Sequence, residues 1–154
     1  MQHLNALSAR MAHEGIRRLL VIAGYDAWCA QQVNDLRTAL CGDWLWVGEA
    51  SDGLHCAPSA LTRLLGREFT HAVLDARCGF DVSAFAALSG TLKPGSWLVL
   101  LTPPLSDWPQ RPDADSCRWS DSVTPVATPR FVDYFCRKLH QHEDVVIWQQ
   151  GAPL

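Results

Sequence analysis

The fold is decided by the stretch Thr70-His-Ala-Val-Leu-Asp75-Ala-Arg77-Cys-Gly79-Phe80-Asp81 and its continuation Leu92-Lys-Pro-Gly-Ser-Trp97-Leu-Val-Leu-Leu-Thr102-Pro103. Each stretch contains a short apolar run that is typical of a buried strand. Between the runs, Asp81 is placed to cap a helix whose Phe85, Leu88 and Leu92 share one face. The pattern predicts a βαβ unit. Sheets built from such units bind ligands beyond the carboxyl ends of their strands.

Further apolar runs extend this unit in both directions along the chain. We expect strands at residues 19–23, 44–47 and 145–148, each preceded by an amphipathic helix. The alternation predicts an α/β fold, a three-layer Rossmann-like domain with a mainly parallel five-stranded sheet. A length of 154 residues fits a single domain that spans residues 1–154.

The composition is that of a globular protein without strong charge bias. Hydrophobic residues make up 48% of the chain, charged residues make up 19%, and the net charge is −3. A domain that binds nucleic acid by itself is expected to be basic, because phosphate contacts supply most of the non-specific affinity. The charge balance therefore argues against an autonomous RNA-binding module, which is kept as a third hypothesis.

The cysteines and the amino-terminal segment bear on the compartment. Six cysteines are present without a CxxC pair, and Cys29 and Cys136 fall within amphipathic helical patterns. No signal-peptide pattern precedes them, and no apolar run approaches the ~20 residues that span a bilayer. We expect reduced thiols and a cytoplasmic location.

Residues 102–127 lack any periodicity and are rich in proline. A segment of this length exceeds the usual loop of a compact domain. It contains Trp108, Arg118 and Trp119, which we take as candidate interface or edge residues. Either the tryptophans cover the edge of the domain's own sheet, or they anchor a neighbouring module. Because the segment follows the fourth predicted strand, at the carboxyl edge of the sheet, we predict that a neighbouring module docks there.

Few residues carry the patterns of catalytic or cofactor sites. The first βα turn has the single glycine Gly24, whereas phosphate loops use several. The histidines do not cluster, and there is no GxSxG segment. Asp75 and Arg77 follow a predicted strand, where they could bind a ligand or pair with each other, and the pairing is favoured. We predict no catalytic, cofactor-binding or metal-binding residue.

In an alternative hypothesis, the domain is itself an enzyme. The chain could be an independent Rossmann-like enzyme that binds a small molecule or a nucleotide in the crevice between Gly24, Glu49, Asp75 and Thr102. The absence of a glycine-rich first loop disfavours this hypothesis.

Several segments spread over nearly the whole chain carry a resemblance to a known family. They include Glu14-Gly-Ile-Arg17-Arg18, Gly42-Asp-Trp44-Leu-Trp46, Leu65-Gly66-Arg67-Glu68-Phe69, Asp75-Ala-Arg77, Gly79-Phe80-Asp81 and Arg118-Trp119-Ser120-Asp121. These segments are similar to the N-terminal domain of bacterial tRNA(Met) cytidine acetyltransferase. The family's Walker A and acetyl-CoA loops have no counterpart in this chain.

The resemblance implies a module of a large enzyme that makes N4-acetylcytidine at the wobble position of tRNA(Met). It implies acetyl-CoA and ATP or GTP as cofactors of the full-length protein, and none in this domain. The implied partners are the helicase-like ATPase and acetyltransferase modules of the same polypeptide, with tRNA(Met) bound through the full-length enzyme. The chain is then an N-terminal piece that serves as a noncatalytic scaffold.

Overall fold

The computed structural model describes residues 2–48, 55–56, 70–120 and 123–152. The helices are α1 (Gln2–Glu14), α2 (Asp26–Ala39), α3 (Val82–Ser89), α4 (Ser116–Trp119) and α5 (Pro129–Gln141). The strands are β1 (Arg18–Ala23), β2 (Trp44–Val47), β3 (His55–Cys56), β4 (His71–Asp75), β5 (Trp97–Thr102), β6 (Pro112–Asp113), β7 (Val126–Ala127) and β8 (Val146–Gln149). A short 3-10 helix covers Trp108–Gln110.

The main sheet has the strand order β3-β2-β4-β5-β1-β8, and every neighbouring pair is parallel. The predicted α/β fold and all five predicted strands are confirmed. The two-residue strand β3 adds a sixth strand at one edge that the sequence pattern did not indicate, because two residues show no periodicity. Strands β6 and β7 form a separate antiparallel ribbon within residues 102–127.

Helices cover both faces of the sheet. Alternate residues of β1 point to opposite faces, with Leu20 and Ile22 on one side and Val21 and Ala23 on the other. Helices α1 and α2 pack on the first face, and α3 and α5 pack on the second. All six residues of β5 are buried. Burial on both faces is the reason that the central strands read as unbroken apolar runs.

The start of α3 confirms the predicted cap. The side chain of Asp81 accepts a hydrogen bond from the backbone N–H of Ala84 at 3.0 Å. This bond satisfies one of the amides that the first turn of a helix leaves unpaired. The cap fixes α3 directly after the loop that leaves β4.

His71 links the first residues of β4 and β5. Its Nδ1 atom accepts a hydrogen bond from the backbone N–H of Trp97 at 3.0 Å, and its ring lies 4.7 Å from that of Trp44. The side chain is 3% exposed, and burial lowers the pKa of His71 below the usual 6.5. The imidazole is therefore neutral in the folded protein near neutral pH.

We predict that His71 makes the domain sensitive to mild acid. Because its pKa is lower in the folded than in the unfolded chain, its contribution to stability is complete above pH 6.5 and is lost as the pH falls below that value. His71→Asn keeps an acceptor for the N–H of Trp97 and removes the titrating ring. The urea midpoint of this variant should therefore vary less between pH 7 and pH 5 than that of the wild type.

The matched control for this prediction is His13→Asn on the exposed end of α1. The control should keep the pH dependence of the wild type. Equal slopes of midpoint against pH for the wild type and His71→Asn would contradict the assignment.

Candidate functional site

The carboxyl ends of β1, β4 and β5 meet at one edge of the sheet, where doubly wound folds bind their ligands. The strand register places Ala23 beside Thr102 and Asp75 beside Leu101. Gly24, Asp75 and Thr102, three members of the hypothetical crevice, therefore lie along the same edge. The fourth member, Glu49, lies outside the described residues.

The first βα turn is filled by the chain itself. The backbone N–H of Gly24 donates to the carbonyl of Thr102 at 3.1 Å, and the N–H of Tyr25 donates to Oε1 of Gln150 at 2.9 Å. A Cβ atom at Gly24 would lie 2.6 Å from the ring of Trp28 and 2.8 Å from Oε1 of Gln150. The glycine is thus required by close packing. The amides of Gly24 and Tyr25, two of those that would face a pyrophosphate in a dinucleotide-binding fold, are therefore hydrogen-bonded within the domain.

Sequence reasoning did not identify Gln150. It follows β8, and its backbone N–H donates to the carbonyl of Ala23 at 2.9 Å. Its side chain reaches the first turn only because β8 returns beside β1. No local pattern could have revealed this contact.

Asp75 and Arg77 form a bidentate ion pair. Nε and Nη2 of Arg77 lie 2.9 and 2.8 Å from the two carboxylate oxygens of Asp75, whose Oδ1 also accepts the backbone N–H of Arg77. Nη1 of Arg77 lies 3.4 Å from the exposed carboxylate of Asp26 at the start of α2. The hydrogen bond to Asp75 raises the pKa of Arg77 above its ordinary value. This geometry supports the favoured pairing, which ties the β4–α3 loop to α2.

Cys29 lies beneath the same turn. Its thiol is fully buried near the carbonyls of Ile22 and Thr102, and burial raises its pKa to about 11. Cys136 on α5 is half-buried, and its pKa is also raised by burial. Both cysteines are free thiols, and the neutral thiol of Cys29 is a poor nucleophile.

Trp108 lies in the domain's own core. Its side chain is 4% exposed, and its ring centroid is 5.8 Å from that of Phe80 and 5.9 Å from that of Phe135. The 3-10 helix that carries it packs against α5. This position supports the alternative in which Trp108 covers the edge of the sheet, and it leaves the ring inaccessible to a neighbouring module. Arg118 and Trp119 lie in α4, and their side chains lie outside the described part of the structure.

A groove of about 670 Å³ opens beside this core, between the first turns of α3 and α5. We call it the α3–α5 groove and define it by Phe80, Val82, Asp113, Ala127, Pro129 and Phe131. Its volume falls within the range of small-molecule pockets. The short ribbon of β6 and β7, which belongs to residues 102–127, forms one wall.

Asp113 fastens that wall to the loop after β4. Its carboxylate accepts the backbone N–H of Phe80 at 3.2 Å and that of Asp115 at 2.8 Å. A Cβ atom at Gly79 would lie 2.9 Å from the nitrogen of Asp115, so this contact requires glycine. Burial raises the pKa of Asp113. Sequence reasoning missed Asp113, because its partner Phe80 lies 33 residues away.

Within the described ranges, no group of three or more histidine, cysteine, aspartate or glutamate side chains is arranged to hold a metal ion. None of the helices in those ranges is long and apolar enough to cross a membrane.

Comparison with known proteins gives a consistent result. Residues 1–150 match the family described as "tRNA(Met) cytidine acetyltransferase TmcA, N-terminal". The chain is 60% identical over 151 residues to the tRNA(Met) cytidine acetyltransferase TmcA of Citrobacter koseri, which covers 97% of this chain and 22% of that protein. It is 53% identical over 151 residues to the protein of the same name from Salmonella typhimurium, again over 97% of this chain and 22% of that protein. The chain therefore spans about a fifth of the length of these relatives.

We predict that Trp108→Ala destabilises the isolated domain by about 3 to 5 kcal/mol, the usual range for truncating a buried tryptophan. The cause is the loss of its contacts with Phe80 and Phe135. Urea midpoints measure the effect. Tyr134→Ala on the exposed face of α5 is the control and should change stability by about 0.5 kcal/mol or less. A similarly small effect for Trp108→Ala would contradict its place in the core.

We also predict strong coupling between Asp75 and Arg77. Arg77→Met leaves the carboxylate of Asp75, which is 12% exposed, without its cation and should cost about 3 kcal/mol. The double variant with Asp75→Asn should cost less than the sum of the single variants, because no buried charge remains unpaired. Asp26→Asn removes only the exposed partner and should cost less than about 1 kcal/mol. Additive effects of Arg77→Met and Asp75→Asn in urea unfolding would refute the coupling.

Proposed function

Because this chain belongs to the family of N-terminal domains of tRNA(Met) cytidine acetyltransferase TmcA, we propose that it acts as a noncatalytic module of such an enzyme. In this proposal residues 1–154 form one domain of a longer cytoplasmic polypeptide. That polypeptide uses acetyl-CoA and the hydrolysis of ATP or GTP to make N4-acetylcytidine at the wobble position of tRNA(Met). The domain packs on the helicase-like ATPase module and helps to shape the path of the tRNA.

The filled first βα turn is the observation that carries this proposal. The side chains of Gln150 and Trp28 occupy the space above Gly24, and the N–H of Tyr25 is already bonded to Gln150. Asp26 places a negative charge in the first turn of α2, where a phosphate would be bound. These features disfavour ATP and acetyl-CoA at this edge. The catalytic modules then lie in the part of the polypeptide outside this domain.

Asp75 and Thr102, the polar side chains of the alternative crevice that the structure describes, are also paired within the domain. Both carboxylate oxygens of Asp75 accept hydrogen bonds from Arg77. Thr102 is fully buried, and its hydroxyl donates to the carbonyl of Pro103 at 2.9 Å. A substrate at this edge would have to break the ion pair before it could reach Asp75. This arrangement favours the scaffold role over an independent enzyme.

The proposal predicts that the isolated chain has no nucleotide site and no turnover. Thermal melting with ATP, acetyl-CoA or S-adenosylmethionine should leave Tm unchanged. A ligand at 100 times its Kd would stabilise the fold by about 2.7 kcal/mol, which raises Tm by several degrees. The chain should neither hydrolyse ATP nor acetylate tRNA. Turnover, or a clear shift with any of the three ligands, would contradict the proposal in favour of the enzyme hypothesis.

Two further measurements test the other parts of the proposal. A tRNA titration at two salt concentrations tests the autonomous RNA-binding hypothesis, because phosphate contacts weaken steeply with salt. In the full-length enzyme, deletion of residues 1–150 should lower tRNA acetylation. Full activity of that truncated enzyme would contradict a scaffold role.

A further inference from the structure

The α3–α5 groove exposes apolar side chains at a surface that is already shaped. Val82 is 46% exposed and Phe131 is 39% exposed, and both line the groove. Aromatic side chains such as that of Phe131 are enriched at protein interfaces. These two side chains leave apolar surface open to a partner at the mouth of the groove.

The floor of the groove is fixed by aromatic packing and by hydrogen bonds. Phe80 is 3% exposed and is packed by the rings of Trp108 and Phe135. Its backbone N–H is fixed by the carboxylate of Asp113. The ring centroid of Phe131 lies 6.0 Å from that of Phe80 and 6.2 Å from that of Phe135, so Phe131 belongs to the same cluster. A partner that binds here pays little ordering cost on the domain side, because the surface is preorganised.

The charges around the groove disfavour a phosphate-bearing occupant. Among the lining residues that the structure describes, Asp113 and Asp115 are acidic and Arg130 is basic. RNA, ATP and acetyl-CoA all carry phosphates, which these carboxylates would repel. An apolar side chain, on a polypeptide with a basic residue beside it, matches both the apolar floor and the acidic wall.

The position of the groove indicates which polypeptide it receives. Strand β8 is parallel to β1 and ends with Gln149 beside Ala23, at the carboxyl edge of the sheet. Helix α5 leads into β8, so its first turn and the groove lie at that same edge. In a protein of the relatives' length, of which this chain spans 22%, the polypeptide beyond Ala152 therefore emerges at the edge where the groove opens.

We infer that the α3–α5 groove is the surface on which the following part of the same polypeptide docks, by inserting an apolar side chain between Val82 and Phe131. The inference rests on the proposed function, because it needs the longer enzyme. The docking surface predicted for residues 102–127 is then not Trp108, which is buried, but the wall of the groove formed by the ribbon beside Asp113.

Hydrogen–deuterium exchange of the full-length enzyme and of the 154-residue chain tests the inference. The backbone amides of residues 130–132, at the start of α5, should exchange at least tenfold more slowly in the full-length enzyme. Val82→Asp places a charge in the groove and should return this exchange to the rate of the 154-residue chain. Val123→Asp, at a side chain that is 95% exposed and outside the groove lining, is the matched control and should preserve the protection.

The Val82→Asp variant is expected to fold. Val82 is the first residue of α3, and an acidic residue in the first turn of a helix is favourable. The urea midpoint of the 154-residue chain that carries Val82→Asp verifies this. Phe131→Ala provides a second variant that empties the groove without adding charge. Protection that survives both Val82→Asp and Phe131→Ala would overturn the inference.

The remaining outcomes separate this inference from the proposed function. Protection of another surface of the domain, with the groove unprotected, would overturn the groove assignment and leave the scaffold role intact. No protected surface anywhere on the domain would overturn both. Protection of the groove in the 154-residue chain by added ATP, acetyl-CoA or tRNA would show that the occupant is a phosphate-bearing ligand, and would also overturn the inference.

Discussion

The structure depends on the complete burial of β5 between β4 and β1. All six residues of this strand are removed from water, with Leu98 and Leu100 facing the layer of α3 and α5, and Trp97, Val99 and Leu101 facing the layer of α1 and α2. Burying apolar area on this scale is the main favourable contribution to folding. A strand that is apolar on both faces is stable only when helices cover both sides of the sheet. The three-layer architecture follows from this constraint.

The burial of β5 also determines which residues lie at the carboxyl edge of the sheet. Because β1, β4 and β5 are held in register, the loops that leave them converge on a small area. In many doubly wound folds that area binds a nucleotide. Here it is closed by the chain's own groups, since Gln150 binds the amide of Tyr25 and Arg77 covers the carboxylate of Asp75. The pairing of these described groups within the domain supports the scaffold role proposed above.

Residues 102–127 have two structural roles in this arrangement. Their first half places Trp108 in the aromatic cluster with Phe80 and Phe135. This cluster belongs to the core on the α3 and α5 side of the sheet. Their second half forms the ribbon of β6 and β7, which Asp113 ties to the loop after β4. The ribbon forms one wall of the groove, beside the first turn of α5. One long loop thus completes the core and shapes the exposed apolar surface of the domain.

Local sequence patterns were sufficient to predict the helices, the strands and the class of the fold. Apolar runs and helical spacings are local properties, so the central βαβ unit and the cap at Asp81 were predicted correctly from the residues. The segments shared with the acetyltransferase family also identified the domain. The tertiary structure alone decided the strand order, the short strand β3, the burial of Trp108 and the partners of Asp113. It also decided that Gln150 fills the first turn, a contact between residues 125 positions apart. Contacts between such distant residues depend on how the strands are ordered and packed. Periodicity along the chain describes which face a residue lies on, and it carries no information about which distant residue becomes its neighbour.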